Sequence, residues 1–149
     1  VGILHERQIP FAITGGLAAK IYGAERPLYD IDIDIPNDRF VDLLDAVSVY
    51  IVSGPLRYED EYWKLYTMTL RYDGWNIDIS GAQEAEAFDR KTGKWIACPT
   101  DLSRVRIDEV GGIKIPVIDK DDLVAYKSIV GRETDLSDIK ELELGKSSL

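Results

Sequence analysis

The chain has 149 residues, 45% of them hydrophobic and 9% aromatic, with a formal net charge of -9. That length and composition suit one domain with a real core and exclude a disordered tail; the acidity argues against long nucleic acids, whose binding rests on Lys and Arg at phosphates. With Cys98 and His5 as the single cysteine and histidine, an internal disulfide, a structural zinc centre and a histidine-based triad are excluded, and no run of about 18 apolar residues offers a membrane span.

A nucleotide carried by divalent cations remains compatible with an acidic chain. The opening "VGILHERQIPF" lacks a basic segment followed by an apolar stretch, so no secretory signal is expected, and the cytoplasm is the expected compartment. One domain is expected over residues 1–149, with a first helix that opens upstream of Val1.

In chain order, residues to about Ile9 read as the tail of a helix. "PFAIT" is a short apolar strand that stops at Gly15 and Gly16. "LAAKIYG" is a short helix with Leu17, Ala18 and Ile21 inward, ended by Gly23. "YDIDIDI" has strict period two, placing Ile31, Ile33 and Ile35 on one face and Asp30, Asp32 and Asp34 on the other. "DRFVDLLDAVSVYI" follows as a helix with Phe40, Leu43, Leu44 and Val47 on one side and Asn37 as its N-cap. "KLYTMTLRY", "DG" and "WNIDISG" form a hairpin whose second arm sets Trp75, Ile77 and Ile79 opposite Asn76, Asp78 and Ser80. After a polar stretch with Trp95, "GIKIPVI" is another strand. "DKDDLVAYKSIVGR" is a helix capped by Asp119 and ended near Gly131, and a last helix begins at Thr134. Such mixing, with a hairpin inside, predicts an α+β or mixed-sheet fold.

Each polar feature has two readings. Gly15 and Gly16 at a strand-to-helix turn either let a phosphate reach free backbone amides or satisfy a tight turn. Asp30 and Asp32, at i and i+2, lie about 6.5 to 7 Å apart along the strand. They either share two Mg²⁺ ions or form the charged face of an edge strand. Asp34, one step further, is expected to face solvent or a salt bridge. Asp78 either completes a metal site and orients an attacking hydroxyl or pairs within its hairpin. Lys127 either snorkels at the edge of an apolar helix stripe or reaches the acidic cluster. Arg26 contacts phosphate or pairs with the acidic strand. Trp63, Trp75 and Trp95 read as core or rim residues.

As a set, "TGGLAAKIYGAERPLYDIDIDIP" and the aspartate of "NIDIS" resemble the nucleotidyltransferases of the DNA polymerase beta type, in their minimal single-domain form. Members show a glycine pair (or Gly-Ser), a short helix, an Asp-x-Asp strand and a later acidic strand. "DDLVAYKSIVGRETDLSDIKEL" is similar to their closing helix pair, so the likeness runs from about Pro10 to Leu142. It implies a mixed sheet flanked by helices and metal-dependent transfer of a nucleoside monophosphate from an NTP to a hydroxyl. Asp30 and Asp32 would hold two Mg²⁺ or Mn²⁺ ions, and Asp78 would join one of them and activate the acceptor. Gly15 and Gly16 would contact the β- and γ-phosphates, with Arg26 and Lys127 as further phosphate contacts. The pattern departs at Gly16, where serine is common, and at Leu28, often Thr or Ser. Those departures keep a second reading open: a non-catalytic, antitoxin-like or regulatory member that binds a helical toxin-like partner. A plain divalent-cation binder is a third, weakened by the absence of EF-hand spacing. A partner chain or a homodimer is expected to complete the cleft.

Overall fold

The computed structural model describes residues 1–145 in full and the backbone of 146–147. Among the described residues, five α-helices form: α1 (Gly2–Glu6), α2 (Gly15–Ile21), α3 (Phe40–Val47), α4 (Lys120–Val130) and α5 (Glu133–Ser147). The strands are β1 (Ala12–Thr14), β2 (Asp30–Ile35), β3 (Ile51–Glu59), β4 (Trp63–Tyr72), β5 (Trp75–Gly81), β6 (Glu86–Asp89), β7 (Lys94–Ala97), β8 (Val105–Val110) and β9 (Ile113–Ile118). They join one mixed sheet in the order β7-β6-β4-β5-β2-β1-β9-β8, with β3 also on β4. The expected mixed-sheet α+β architecture is what forms.

The isoleucine alternation decides which way the sheet faces. Ile33, Ile35 and Ile79 are buried, and Met68 and Leu70 lie opposite Ile79 and Ile77 across the β4–β5 hairpin. That face packs with Leu4 of α1 and with Phe40, Leu43 and Val47 of α3 in one core cluster. Each such side chain contributes on the order of 1.5–3 kcal/mol when fully buried. Because the side-chain period is two, β2 and β5 must then turn their aspartates to the opposite face. The hairpin register is fixed by Asp73 and Gly74, both at positive φ (49° and 80°), as a type I′ turn requires.

Several boundaries differ from the sequence reading. The third helix ends at Val47 and does not run on to Ile51, because Ile51 starts β3 on the edge of β4. Asn37 is not an N-cap. It opens a single 3₁₀ turn, and its side chain accepts from the Gln83 amide while Gln83 accepts from the Asn37 amide. Strands β3, β6, β7 and β8 lie in stretches where polar and apolar residues do not alternate cleanly. Asp119 does cap α4, accepting from the Asp121 and Asp122 amides, and Gly131 ends it in the left-handed conformation.

A buried charge cluster ties α4 and α5 to the loop before β2. Lys127 Nζ lies 3.2 Å from Asp135 and 2.9 Å from Asp138, and Arg26 Nε lies 2.7 Å from Asp138. Arg132 adds a 2.8 Å pair to Asp135. Burial works against the Asp138 charge, yet hydrogen bonds from Arg26 and Lys127 outweigh it and hold the carboxyl below the usual carboxylate range. Removing one partner of such a network strands the others without compensation. Asp138→Ala is therefore expected to cost roughly 3–5 kcal/mol of unfolding free energy, measured by urea denaturation; a loss under about 1 kcal/mol would show that the cluster does not hold these elements.

Candidate active site

The parallel pairing of β2 and β5 sets Asp32 opposite Asp78, Asp30 opposite Asn76 and Asp34 opposite Ser80. Neighbouring strands lie about 4.8 Å apart, so Asp32 and Asp78 stand side by side on the face turned away from the core. Across the hairpin, Thr69 lies opposite Asp78 and donates its hydroxyl to Asp78 Oδ1 at 2.5 Å. This face forms one wall of a cavity of about 800 Å³. Gly15, Gly16, Arg26, Asp30, Asp32, Asp78 and Lys127, gathered from four regions of the chain, all line it.

Beside Asp32, Gly15 sits at φ +60°, and a Cβ on it would collide with Asp32 Oδ2. A glycine here is therefore a matter of space as well as backbone conformation. Gly16 is constrained differently: a Cβ would lie 2.8 Å from Nη2 of Arg26. The glycine that replaces the commoner serine thus goes with the packing of Arg26 against the turn.

Crowding shows in the acidities. Burial, then the charges of Asp30, Asp78 and Asp34, push the Asp32 carboxyl up to about 7, against the opposing charge of Lys127. Burial pushes Asp34 up to about 7 as well, opposed by a hydrogen bond from Thr100. The expectation that Asp34 faces solvent or an ion pair is therefore corrected. It is half-buried in the cavity wall and accepts from the Thr100 hydroxyl at 2.5 Å.

Lys127 does not snorkel; it is 2% exposed and paired with Asp135 and Asp138. Arg26 pairs with Asp138 of α5, not with the acidic strand. Both remain on the cavity wall. Trp63 also lines the cavity, edge-on to Tyr126, whereas Trp95 packs on Phe88 and Trp75 is exposed.

The donor set suits a hard divalent cation. It consists of carboxylates, one of which, Asp32, is pushed up to about 7 by burial and by its acidic neighbours. Among the described residues, no three acidic, histidine or cysteine side chains already enclose a metal position. One oxygen of Asp78 is engaged by Thr69 instead.

A family model described as aminoglycoside-2''-adenylyltransferase matches residues 1–142. The chain belongs to the aminoglycoside-2''-adenylyltransferase family. No curated protein matches it significantly. Among solved structures, it is similar to a Thermotoga maritima protein described as a nucleotidyltransferase, at 21% identity and TM-score 0.68, covering 99% of this chain and 86% of that one. The lincosamide antibiotic adenylyltransferase LnuA, solved with lincomycin, matches at 16% identity and TM-score 0.62 over 95% of this chain and 90% of its own. ANT(2'')-Ia, solved with adenylyl-2''-tobramycin, matches at 15% identity and TM-score 0.60 over 99% of this chain and 86% of its own. These likenesses establish the nucleotidyltransferase fold.

Against that family background, the sequence reading passed over Thr69, Tyr126 and Arg132. Counting residues back from the Asp-Gly turn places Thr69 opposite Asp78. Tyr126 falls at helical spacing among the apolar residues of α4, and nothing in that spacing marks its hydroxyl as engaged with Gly15.

Because Asp32 and Asp34 hold protons in the fold that an unfolded chain releases near pH 3.8, stability should fall as pH rises from about 4 through about 7. Melting followed in chelator between pH 5 and 8 should show this decline. Asp34→Asn should flatten it and raise stability at pH 8 by more than about 1 kcal/mol; a profile that rises over the window would contradict the protonated carboxyls.

Proposed function

We propose that the protein transfers a nucleoside monophosphate, AMP by family membership, from an NTP to a hydroxyl of a small acceptor. The observation that carries this reading is the register pair Asp32–Asp78 set beside the Gly15–Gly16 turn in the wall of a single cavity. Asp30, Asp32 and Asp78 would hold two Mg²⁺ or Mn²⁺ ions. Bound there, the ions supply the positive charge that neutralises the phosphates and the leaving pyrophosphate.

The chain's own residues do the rest. Gly15 and Gly16 leave room for the triphosphate at the turn. Within the neighbouring cluster, Arg26, Lys127 and Arg132 are three cations against the two carboxylates Asp135 and Asp138. That surplus favours phosphate at this end. Asp78, steadied by Thr69, is the carboxylate placed to take the proton of the attacking hydroxyl. Holding acceptor and nucleotide in one cavity provides the positional part of the rate.

The remaining wall includes Asp34, Asp101 and Asp122, with Arg104 paired to Asp122 at 3.1 Å, so that carboxylates outnumber cations there, and the chain carries a net charge of -9. An acidic wall favours a cationic acceptor. An amino sugar fits this requirement, as adenylyl-2''-tobramycin does in the complex of ANT(2'')-Ia. The reading as a non-catalytic member keeps both of its residue arguments, Gly16 and Leu28.

The test is transfer of label from α-³²P-NTPs to a panel of aminoglycosides and other hydroxyl compounds in Mg²⁺. Wild type should label at least one acceptor, with ATP as donor. Asp32→Asn should lower the rate by at least about 100-fold. No label on any acceptor, or equal rates from Asp32→Asn, would refute the assignment.

A further inference from the structure

The first amide of α2 has no partner within its helix, as for any helix start. Thr14, the residue in the cap position, makes no side-chain cap bond. The partner comes instead from 111 residues away: the Gly15 N–H donates to the Tyr126 hydroxyl oxygen at 2.8 Å. Gly15 in turn abuts Asp32 so closely that no Cβ fits between them. Tyr126 is itself held, with its ring edge-on to Trp63 at 5.8 Å between centroids and the neighbouring Lys127 locked to Asp135 and Asp138. A continuous line of contact therefore runs from α4 through the Tyr126 hydroxyl and the Gly15 backbone to the Asp32 carboxylate.

We propose that Tyr126 is a positioning residue of the carboxylate centre, its hydroxyl holding the glycine turn against Asp32 and so fixing where that carboxylate sits. Neither end of this line supplies the restraint alone. Gly15, at positive φ and without a side chain, has the freedom to drift. Asp32, crowded by Asp30 and Asp78, gains by moving away from them. Burial and the Asp32 charge keep the phenol protonated, so its oxygen accepts from the Gly15 amide as a neutral hydroxyl. The inference rests on the reading of Asp30, Asp32 and Asp78 as cation ligands, and the experiment separates the two.

Tyr126→Phe removes the hydroxyl and keeps the ring on Trp63. In cation-free protein, hydrogen exchange of the Gly15 amide, followed by NMR, should quicken by roughly tenfold in the variant while melting shifts by only a few degrees. Mn²⁺ titration followed by electron paramagnetic resonance should show binding weakened by roughly tenfold. If wild type binds no Mn²⁺, the reading of the carboxylates falls, and this role falls with it. If wild type binds and the variant matches it within twofold, or if Gly15 exchange is unchanged, the role of Tyr126 alone is overturned.

Discussion

The parallel pairing of β2 with β5 carries two obligations that pull against each other. On one face, Ile33, Ile35 and Ile79 are driven into the core by apolar burial. On the other, the same pairing brings Asp32 and Asp78 level and keeps Asp30 and Asp34 one step away. A slip by one residue would relieve the repulsion but expose the isoleucines and bury the aspartates in the core, which costs far more. Hydrophobic burial thus holds in place an electrostatic arrangement that Lys127, Thr69 and Thr100 relieve only in part.

Much of this was legible in the chain because period-two alternation is a local signal with a three-dimensional consequence. "YDIDIDI" and "WNIDIS" fixed both strand faces, and the Asp-Gly pair fixed the hairpin that carries Asp78. Asp119 and Gly131 marked the limits of α4 for equally local reasons of capping. What escaped were features decided at long range. Strands β3 and β6 through β8 form on neighbours already in the sheet, with little alternation of their own. Asn37 looked like a cap, but Gln83, brought beside it by the β2–β5 pairing, engages its side chain. Asp34 looked like an exposed end of the row because the segment bearing Thr100, 66 residues later, could not be foreseen over it.

The basic residues show the same division. For Arg26 and Lys127 the sequence left open a local role or a contact with phosphate or the acidic cluster, and both do line the cavity. Their carboxylate partners, however, come from α5, where Asp135 and Asp138 occupy positions i and i+3 on one side of a helix. Those aspartates hold Lys127 and Arg26 at the glycine end of the cavity without cancelling all of the cluster's positive charge. A rigid, partly compensated cation cluster is better suited to a repeatedly exchanged anionic ligand than free side chains, which would have to be ordered at each binding event.

Two electrostatic frustrations of opposite sign therefore face each other across one cavity: a carboxylate group short of cations and a basic cluster short of anions. They neutralise each other only in part: the charges of Lys127 and Arg132 are felt at Asp32, while their ion pairs are made with α5. A divalent cation with an attached polyphosphate carries charge of both signs in the order required, and binding it would relieve both ends at once. Destabilisation on the sheet face is then the natural cost of preorganisation, as expected where a fold sets function against stability. On this view Gly15 is the narrowest point of the design, since the turn that admits the phosphates is also the surface against which Asp32 is seated. A bulkier residue there would disturb both ends together, whatever the quality of the surrounding core.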